Sequence, residues 1–273
     1  VPLSPTPAPD RAPRLTERDR ELLAFLAEHR FALAAQLGRL LGSSAGAVGR
    51  RLGALRAAGL VAGARPLRHD ATAWAITGRG LAIAGGDLSR PRPIDLATYR
   101  HDVGVAWLTV SAHQGHFGEL SEIVSERRMR SQDRRGDRPA ATPTHGVRLT
   151  GEGPRLHYPD LVLVTAGGYR IALELELSTK SPRRRERILA AYADDRRIDR
   201  VVYLVPTRAA ADAIRRSAAR VGAGDTVQVQ RFAWAGGRAP GAPASGVTPR
   251  AARAQAAPRT ASANSARDLE ATR

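Results

Sequence analysis

The chain has 273 residues, 42% hydrophobic but only 4% aromatic, and a formal net charge of +17. That length suits about two ordinary domains, and the basic excess points to a polyanionic partner, nucleic acid before an anionic membrane surface. Zero cysteines exclude disulfides, thiolate zinc sites and a cysteine nucleophile within these residues, and no apolar run approaches the roughly 20 residues that span a bilayer.

A cytoplasmic protein without a membrane partner is therefore the expectation. Residues 1–13 are proline-rich, lack the apolar core of a signal peptide, and are expected to be disordered. Residues 14–90 read as a compact helical unit. Thr16 opens a helix as N-cap, with Asp19 as capping-box partner. Leu22, Leu23, Phe25 and Leu26 give that helix an apolar face. A second helix is expected over about 32–41, ended by Gly42. Ser43 and Ser44 cap a third that runs to about Ala58. Its Val48, Leu52 and Leu55 fall at i, i+4 and i+7 and should face the core, while Ala47, Arg50, Arg51 and Ala54 share the opposite face. Gly59 stops it, Leu60-Val61 begins a short strand, residues 65–70 form a basic loop, Ala73–Ile76 returns as a strand, and Thr77-Gly78 ends it.

Three helices followed by a basic hairpin resemble the winged helix of bacterial DNA-binding proteins, and the stretch RRLGALRAAGLV, with WAITGRG after it, carries the likeness. The resemblance implies a third helix, bearing Ser44, Arg50 and Arg51, that enters the major groove of double-stranded DNA, where arginine meets guanine edges or phosphates. Arg65 and Arg68 would be the wing's phosphate contacts, which fix position and carry little sequence information. A helical packing unit with solvated arginines is the plain alternative, and the charge of +17 weighs against it.

Residues 98–235 read as a second, α/β unit. Tyr99–His113 is a helix with Val103, Val105, Ala106, Leu108 and Val110 on or near its buried face. His113 and His116 have no further ligand nearby and read as surface residues. Leu120–Val124 is a strand leading into polar Ser125–Arg128, and residues 130–153, charged and carrying Pro and Gly, are expected to form a mobile loop. Tyr158–Val164 and Tyr169–Leu177 are strands joined by the Gly167-Gly168 turn. Arg183–Arg197 is a helix with Ile188, Leu189 and Tyr192 inward. Val201–Val205 has the continuous apolar run of a strand buried on both faces. A helix over Thr207–Val221 and a strand over Thr226–Phe232 complete the order α-β-β-β-α-β-α-β. Residues 236–273 hold too little apolar surface to offset ordering entropy and are expected to be a disordered basic tail.

One lysine, Lys180, stands against 42 arginines. It closes the stretch most like an active site: His157-Tyr158-Pro159-Asp160, a strand, a Gly-Gly turn, then Glu174-Leu-Glu176-Leu-Ser-Thr-Lys180. Strand side chains alternate faces, so Glu174 and Glu176 point one way and Leu173, Leu175 and Leu177 the other. Asp160 on the neighbouring strand can reach the face of Glu174. Close carboxylates raise each other's pKa unless a cation sits between them, and an all-oxygen set favours Mg²⁺ or Mn²⁺. Such an ion would polarise a phosphoryl oxygen for phosphodiester hydrolysis. A nearby lysine could orient water or neutralise the transition state. Arg183 and Arg184, at the start of the next helix, could hold phosphate or be simply solvated.

Pro159-Asp160, thirteen residues, then Glu174-x-Glu176 resembles the PD-(D/E)XK signature of restriction-endonuclease-like nucleases. By that resemblance the unit is an αβββαβ core, Asp160 and Glu174 are metal carboxylates, and Glu126 is an additional acidic ligand. Glu176 occupies the usual lysine position, with Lys180 four residues on as its substitute. Over residues 14–207 the chain is similar to the replication-relaxation family of plasmids and other mobile elements. The carriers are LTERDRELLAFLAEHRF, RRLGALRAAGLV, Trp74–Thr77, His101, SERRMR, YPDLVL and ALELELSTK. The likeness implies a DNA-associated role in replication or transfer, with an initiator or relaxase as a further partner. Three readings stay open: a metal-dependent endonuclease or nicking factor, a non-catalytic DNA-binding accessory with a nuclease-like scaffold, and a transcriptional regulator.

Overall fold

The computed structural model describes residues 14–232 apart from 69, 86, 136–142, 151–154 and 179; the ends expected to be disordered, 1–13 and 236–273, lie outside the described residues. Helix α1 (Glu17–Glu28) starts with a capping box. Thr16 Oγ1 accepts the Asp19 N–H at 3.3 Å, and Asp19 Oδ2 accepts the Thr16 N–H at 2.8 Å, which satisfies donors that a helix start leaves open. A two-residue strand, β1 (Ala32–Leu33), precedes α2 (Ala34–Leu40), so the second helix begins later than its composition suggests. The Leu33 N–H donates to Gln36 Oε1 at 2.8 Å and fixes that turn.

Ser44 caps α3 (Ala45–Ala57) by accepting the Ala47 N–H at 3.2 Å, and Val48, Leu52 and Leu55 are buried as their spacing requires. Gly59, at φ +73°, ends the helix in a conformation other residues resist. β2 (Val61–Ala64) and β3 (Ala73–Ile76) form an antiparallel hairpin, and β1 pairs with the far edge of β3. Thr77 does more than end a strand: it caps α4 (Gly78–Ala84), a short helix that the sequence pattern does not announce. A Cβ on Gly80 would lie 2.1 Å from the Leu60 carbonyl oxygen, so the α4 backbone packs where only glycine fits.

α5 (Tyr99–His113) has the bounds that periodicity gives, but it serves two cores. Tyr99, Val103, Ala106, Trp107 and Val110 complete the core of α1 to α4. Ala112, with half-buried Val105 and Leu108, packs on a five-stranded sheet. Tyr99 stacks on Phe31 with centroids 5.2 Å apart, and Gln36 Nε2 donates to the Val103 carbonyl at 2.8 Å.

The chain continues through β4 (Leu120–Ser125), α6 (Glu126–Arg135), β5 (Val147–Leu149), β6 (Arg155–His157), β7 (Leu161–Thr165), β8 (Arg170–Leu175), α7 (Pro182–Asp194), β9 (Arg200–Val205), α8 (Arg208–Arg220) and β10 (Val227–Arg231). The sheet order is β10-β9-β8-β7-β4. β4, β7 and β8 pair antiparallel, while β8, β9 and β10 pair parallel, with α7 and α8 as crossovers. One face, with Leu161, Leu163, Leu173, Leu175 and Leu204, meets α5. The other, with Ala172, Val201, Tyr203 and Val205, meets Ile188, Leu189 and Tyr192 of α7 and Ile214 of α8.

The segment expected to be a loop over 130–153 is only partly so. Its first residues belong to α6, and β5 pairs with β6 in a separate two-stranded ladder. The physical reason lies in composition. Nine of the ten α6 residues are polar, so its amphipathic signal rests on Met129 alone, which is fully buried. Polar ties replace the missing apolar face. Asp133 accepts the N–H groups of Thr144, His145 and Gly146 at 2.7, 3.1 and 2.8 Å, and Arg128 pairs with Glu28 of α1.

Candidate functional site

The β7–β8 register sets Leu161 against Leu173, so Asp160, one residue before β7, lies across from Glu174. There the ladder ends irregularly. The Asp160 N–H reaches the Leu173 carbonyl at 3.1 Å, and the Leu175 N–H donates to Asp160 Oδ2 at 2.7 Å. A carboxylate thus takes the place of a main-chain acceptor. The same oxygen lies 3.2 Å from His101 Nε2 on α5, and His101 Nδ1 is 4.0 Å from Asp102. Burial opposes charge on His101, but the two carboxylates overcome it and raise its pKa to about 10, so the ring is an imidazolium at neutral pH.

Glu174 is 3% exposed and faces α7. Its Oε1 accepts the Tyr192 hydroxyl at 2.5 Å and lies 2.6 Å from His157 Nε2. Burial alone would raise its pKa; His157, then Lys180 and Tyr192, hold it below the usual carboxylate range. Burial and the Glu174 charge push the Tyr192 phenol well up in turn. Glu176, buried and one residue past β8, pairs with Lys180, and its N–H extends the ladder to the Leu204 carbonyl at 3.0 Å. Buried Tyr203 is pushed up by desolvation and by the charges of Glu174, Glu176 and Asp160, so all three carboxylates act on one phenol.

Each carboxylate therefore already has a basic partner from the chain: His101 for Asp160, His157 for Glu174 and Lys180 for Glu176. Glu126 begins α6, and its N–H donates to the Asp160 carbonyl at 3.2 Å, but its carboxylate pairs with Arg130 at 2.7 Å. Among the described residues no group of three or more His, Asp or Glu side chains could hold a metal ion. As arranged, the donor set does not fit Mg²⁺ or Mn²⁺, because the protein supplies the compensating charge that an ion would bring. Lys180 is held by Glu176 rather than standing free at the centre.

The basic residues separate into two groups. On α3, Gly46, Arg50, Gly53 and Ala57 follow at i, i+4, i+7 and i+11 and are all exposed, and Ser44 is exposed at the cap. Arg51 turns from that face. Its guanidinium grips buried Asp19 with bonds of 2.6 and 2.5 Å, tying α3 to the start of α1. Arg65 and Arg68 are exposed beyond β2, with Arg65 Nε 3.5 Å from Thr72. Arg183 and Arg184 are exposed in the first turn of α7. Their neighbour Arg185 is buried, bonding Ser217 of α8 at 2.9 Å.

Sequence reasoning gives His101, His157 and Tyr192 no site role and places them only as motif members or core. Their signal is faint: His157 stands three residues before Asp160, but His101 is 59 residues away.

The family described as replication-relaxation matches residues 23–201, from within α1 into β9, and so spans both units. The chain belongs to that family. Among solved structures, a mutant of ZitR from Lactococcus lactis is similar at 20% identity over 40% of this chain and 68% of that one, with a TM-score of 0.24. No curated protein matches this member of the replication-relaxation family. No helix among its described residues is long and apolar enough to cross a membrane.

Proposed function

We propose that this protein binds double-stranded DNA in the replication or transfer of a plasmid or other mobile element, using residues 14–84 as a winged helix-turn-helix reader. The observation that carries the reading is the outer face of α3. Gly46, Gly53 and Ala57 keep it low, and Arg50 projects from it without a hydrogen bond or ion pair among the described residues. A helix about 10–12 Å across with its side chains fits the roughly 12 Å major groove, and a low leading face lets its backbone and Arg50 approach the base edges closely. Arg65 and Arg68 flank it as phosphate contacts. The αβββαβ arrangement of the second unit acts in this reading as a nuclease-like scaffold with a neutralised carboxylate network, on which an initiator or relaxase docks.

The test is duplex binding across a salt series. Replacing Arg50, Arg65 and Arg68 together by alanine should lower the slope of log K against log salt by roughly 3, about 0.9 for each phosphate no longer neutralised. An unchanged slope rejects α3 and its wing as the reader.

The second reading is a Mg²⁺- or Mn²⁺-dependent DNA endonuclease with Asp160, Glu174 and Glu126 as ligands and Glu176 and Lys180 beside them. The cross-strand position of Asp160 opposite Glu174 favours it. It requires the His101 and His157 pairs to open. Supercoiled plasmid incubated with either ion should then become nicked or linear, and Asp160→Ala and Glu174→Ala should abolish that product. Cleavage that survives both substitutions removes this reading.

A further inference from the structure

A cavity of about 460 Å³ opens between the segment 87–92 and α6. Seven arginines line it, Arg30, Arg90, Arg92, Arg127, Arg130, Arg134 and Arg135, against two acids, Asp87 and Glu126. On α6 the lining positions 127, 130, 131, 134 and 135 form one stripe at helical spacing, while Met129 is buried on another side. Four of the arginines are anchored. Arg127 donates to the His29 and Ser89 carbonyls, Arg130 pairs with Glu126 and lies 4.3 Å over the Tyr158 ring, Arg135 pairs with Asp87, and Arg30 bonds Thr98 and Asp102. Arg90, Arg92 and Arg134 make no hydrogen bond or ion pair among the described residues. So many like charges around one concavity repel each other, and an anion seated there relieves that repulsion.

We infer that this cleft is a second nucleic-acid site, one that takes the phosphodiester backbone of a single DNA strand. Volume argues for one strand: cavities of about 300–1,000 Å³ enclose small ligands, and a duplex does not enter them. The lining argues for phosphates over bases. It offers guanidiniums, with Leu88 and Pro91 the main apolar members, and none of the aromatic platforms on which bases stack. A smaller adjoining pocket, of about 40 Å³, shares Arg30, Glu126 and Arg127 with the cleft and adds the carboxylates of Glu28, Asp102 and Asp160. Those carboxylates repel phosphate, so the strand is held in the arginine-lined cleft itself. The inference rests on the DNA-binding reading for its ligand class, but uses none of the proposed duplex contacts, Arg50, Arg65 and Arg68.

The experiment measures anisotropy of labelled oligo(dT) and of a labelled duplex, each across a salt series, with the full chain. The triple variant Arg90→Ala, Arg92→Ala, Arg134→Ala removes only unanchored side chains, so the fold should hold, as circular dichroism would verify. Oligo(dT) affinity should fall at least tenfold and its salt slope by roughly 2, about 0.7 for each single-strand phosphate no longer neutralised, with duplex binding retained. The Arg50, Arg65, Arg68 variant should show the reverse pattern. If the cleft variant binds oligo(dT) as before, the site is refuted while the duplex reader stands. If duplex and oligo(dT) both fail only in the α3 variant, a single shared surface replaces it. Inorganic triphosphate is the competitor: displacement of oligo(dT) at equal or lower concentration would assign the cleft to compact phosphates and overturn the strand.

Discussion

The two units satisfy their buried charges with different shares of local and remote ties. Around α1, Asp19 is held by Arg51 from 32 residues off and by Thr16, three residues away, in a box that spacing alone announces. At the end of β7 and β8 Glu176 has a local partner in Lys180, but the ties of Asp160 and Glu174 are remote. Asp160 meets His101 from 59 residues off, and Glu174 meets Tyr192 from 18. Local ties are written in spacing; remote ones exist only once the sheet has set its register. The α/β network is thus a product of the fold, and its members should depend on one another more than the caps do.

The largest effect is expected at Glu174. Glu174→Ala leaves His157 and the Tyr192 hydroxyl facing an empty place in a buried site. Breaking a buried pair from one side typically costs about 3–5 kcal/mol, so the urea midpoint should fall steeply. Glu174→Gln keeps an acceptor for Tyr192 and should lose less. Equal losses for the two variants would show that charge, not hydrogen bonding, holds the site. A loss under about 1 kcal/mol for Glu174→Ala would break the comparison, because it is the range of exposed ion pairs.

The second expected effect is Asp19→Ala, about 2 kcal/mol, the upper range for a lost helix cap. It removes the capping box and the Arg51 clamp together, but Arg51 is half exposed and water can take it back. Arg51→Ala should lose less still, and should leave the salt slope of duplex binding nearly unchanged. A large loss of slope would return Arg51 to the reading face.

How much was legible follows the same division. Ser44, Gly59 and the i, i+4, i+7 run of Val48, Leu52 and Leu55 place α3 to within a residue. The order of β4, β7, β8, α7, β9, α8 and β10 was likewise written in alternation and apolar runs. α4 was hidden because Thr77-Gly78 serves equally as a strand end and a helix start. α6 was hidden because one methionine carries its apolar face. Alternation put Glu174 and Glu176 on one face of β8, and the hairpin set Asp160 across from Glu174, as the β7–β8 register has it. Their basic partners were not legible, since nothing in the spacing of His101 or His157 says which carboxylate each will meet. Like charges need a counter-charge, and spacing does not show that the chain brings basic partners of its own.

The last expected effect, a pH dependence that is negligible at neutral pH and grows as pH falls, lies between the two units. His29 follows α1, is 5% exposed, and has no hydrogen-bond partner for Nε2 among the described residues. Burial, then the charges of Arg127 and His113, lower its pKa from 6.5 to about 3. The ring is neutral in the folded chain at any pH above that value, whereas in the unfolded chain it takes up a proton below about 6.5. Protons therefore favour the unfolded state between those limits. The contribution of His29 is fully present above about pH 6.5 and is lost as pH falls toward 3, at no more than roughly 1.4 kcal/mol per pH unit. His29→Phe keeps a ring 4.3 Å from that of Phe25 and removes the titration. Urea midpoints taken from about pH 7 down to about pH 4, a span that crosses the ordinary histidine titration, should fall less steeply for this variant than for the parent. Parallel profiles would mean that His29 takes up its proton at the same pH folded and unfolded, and that burial at the junction between α1 and α6 does not lower its pKa.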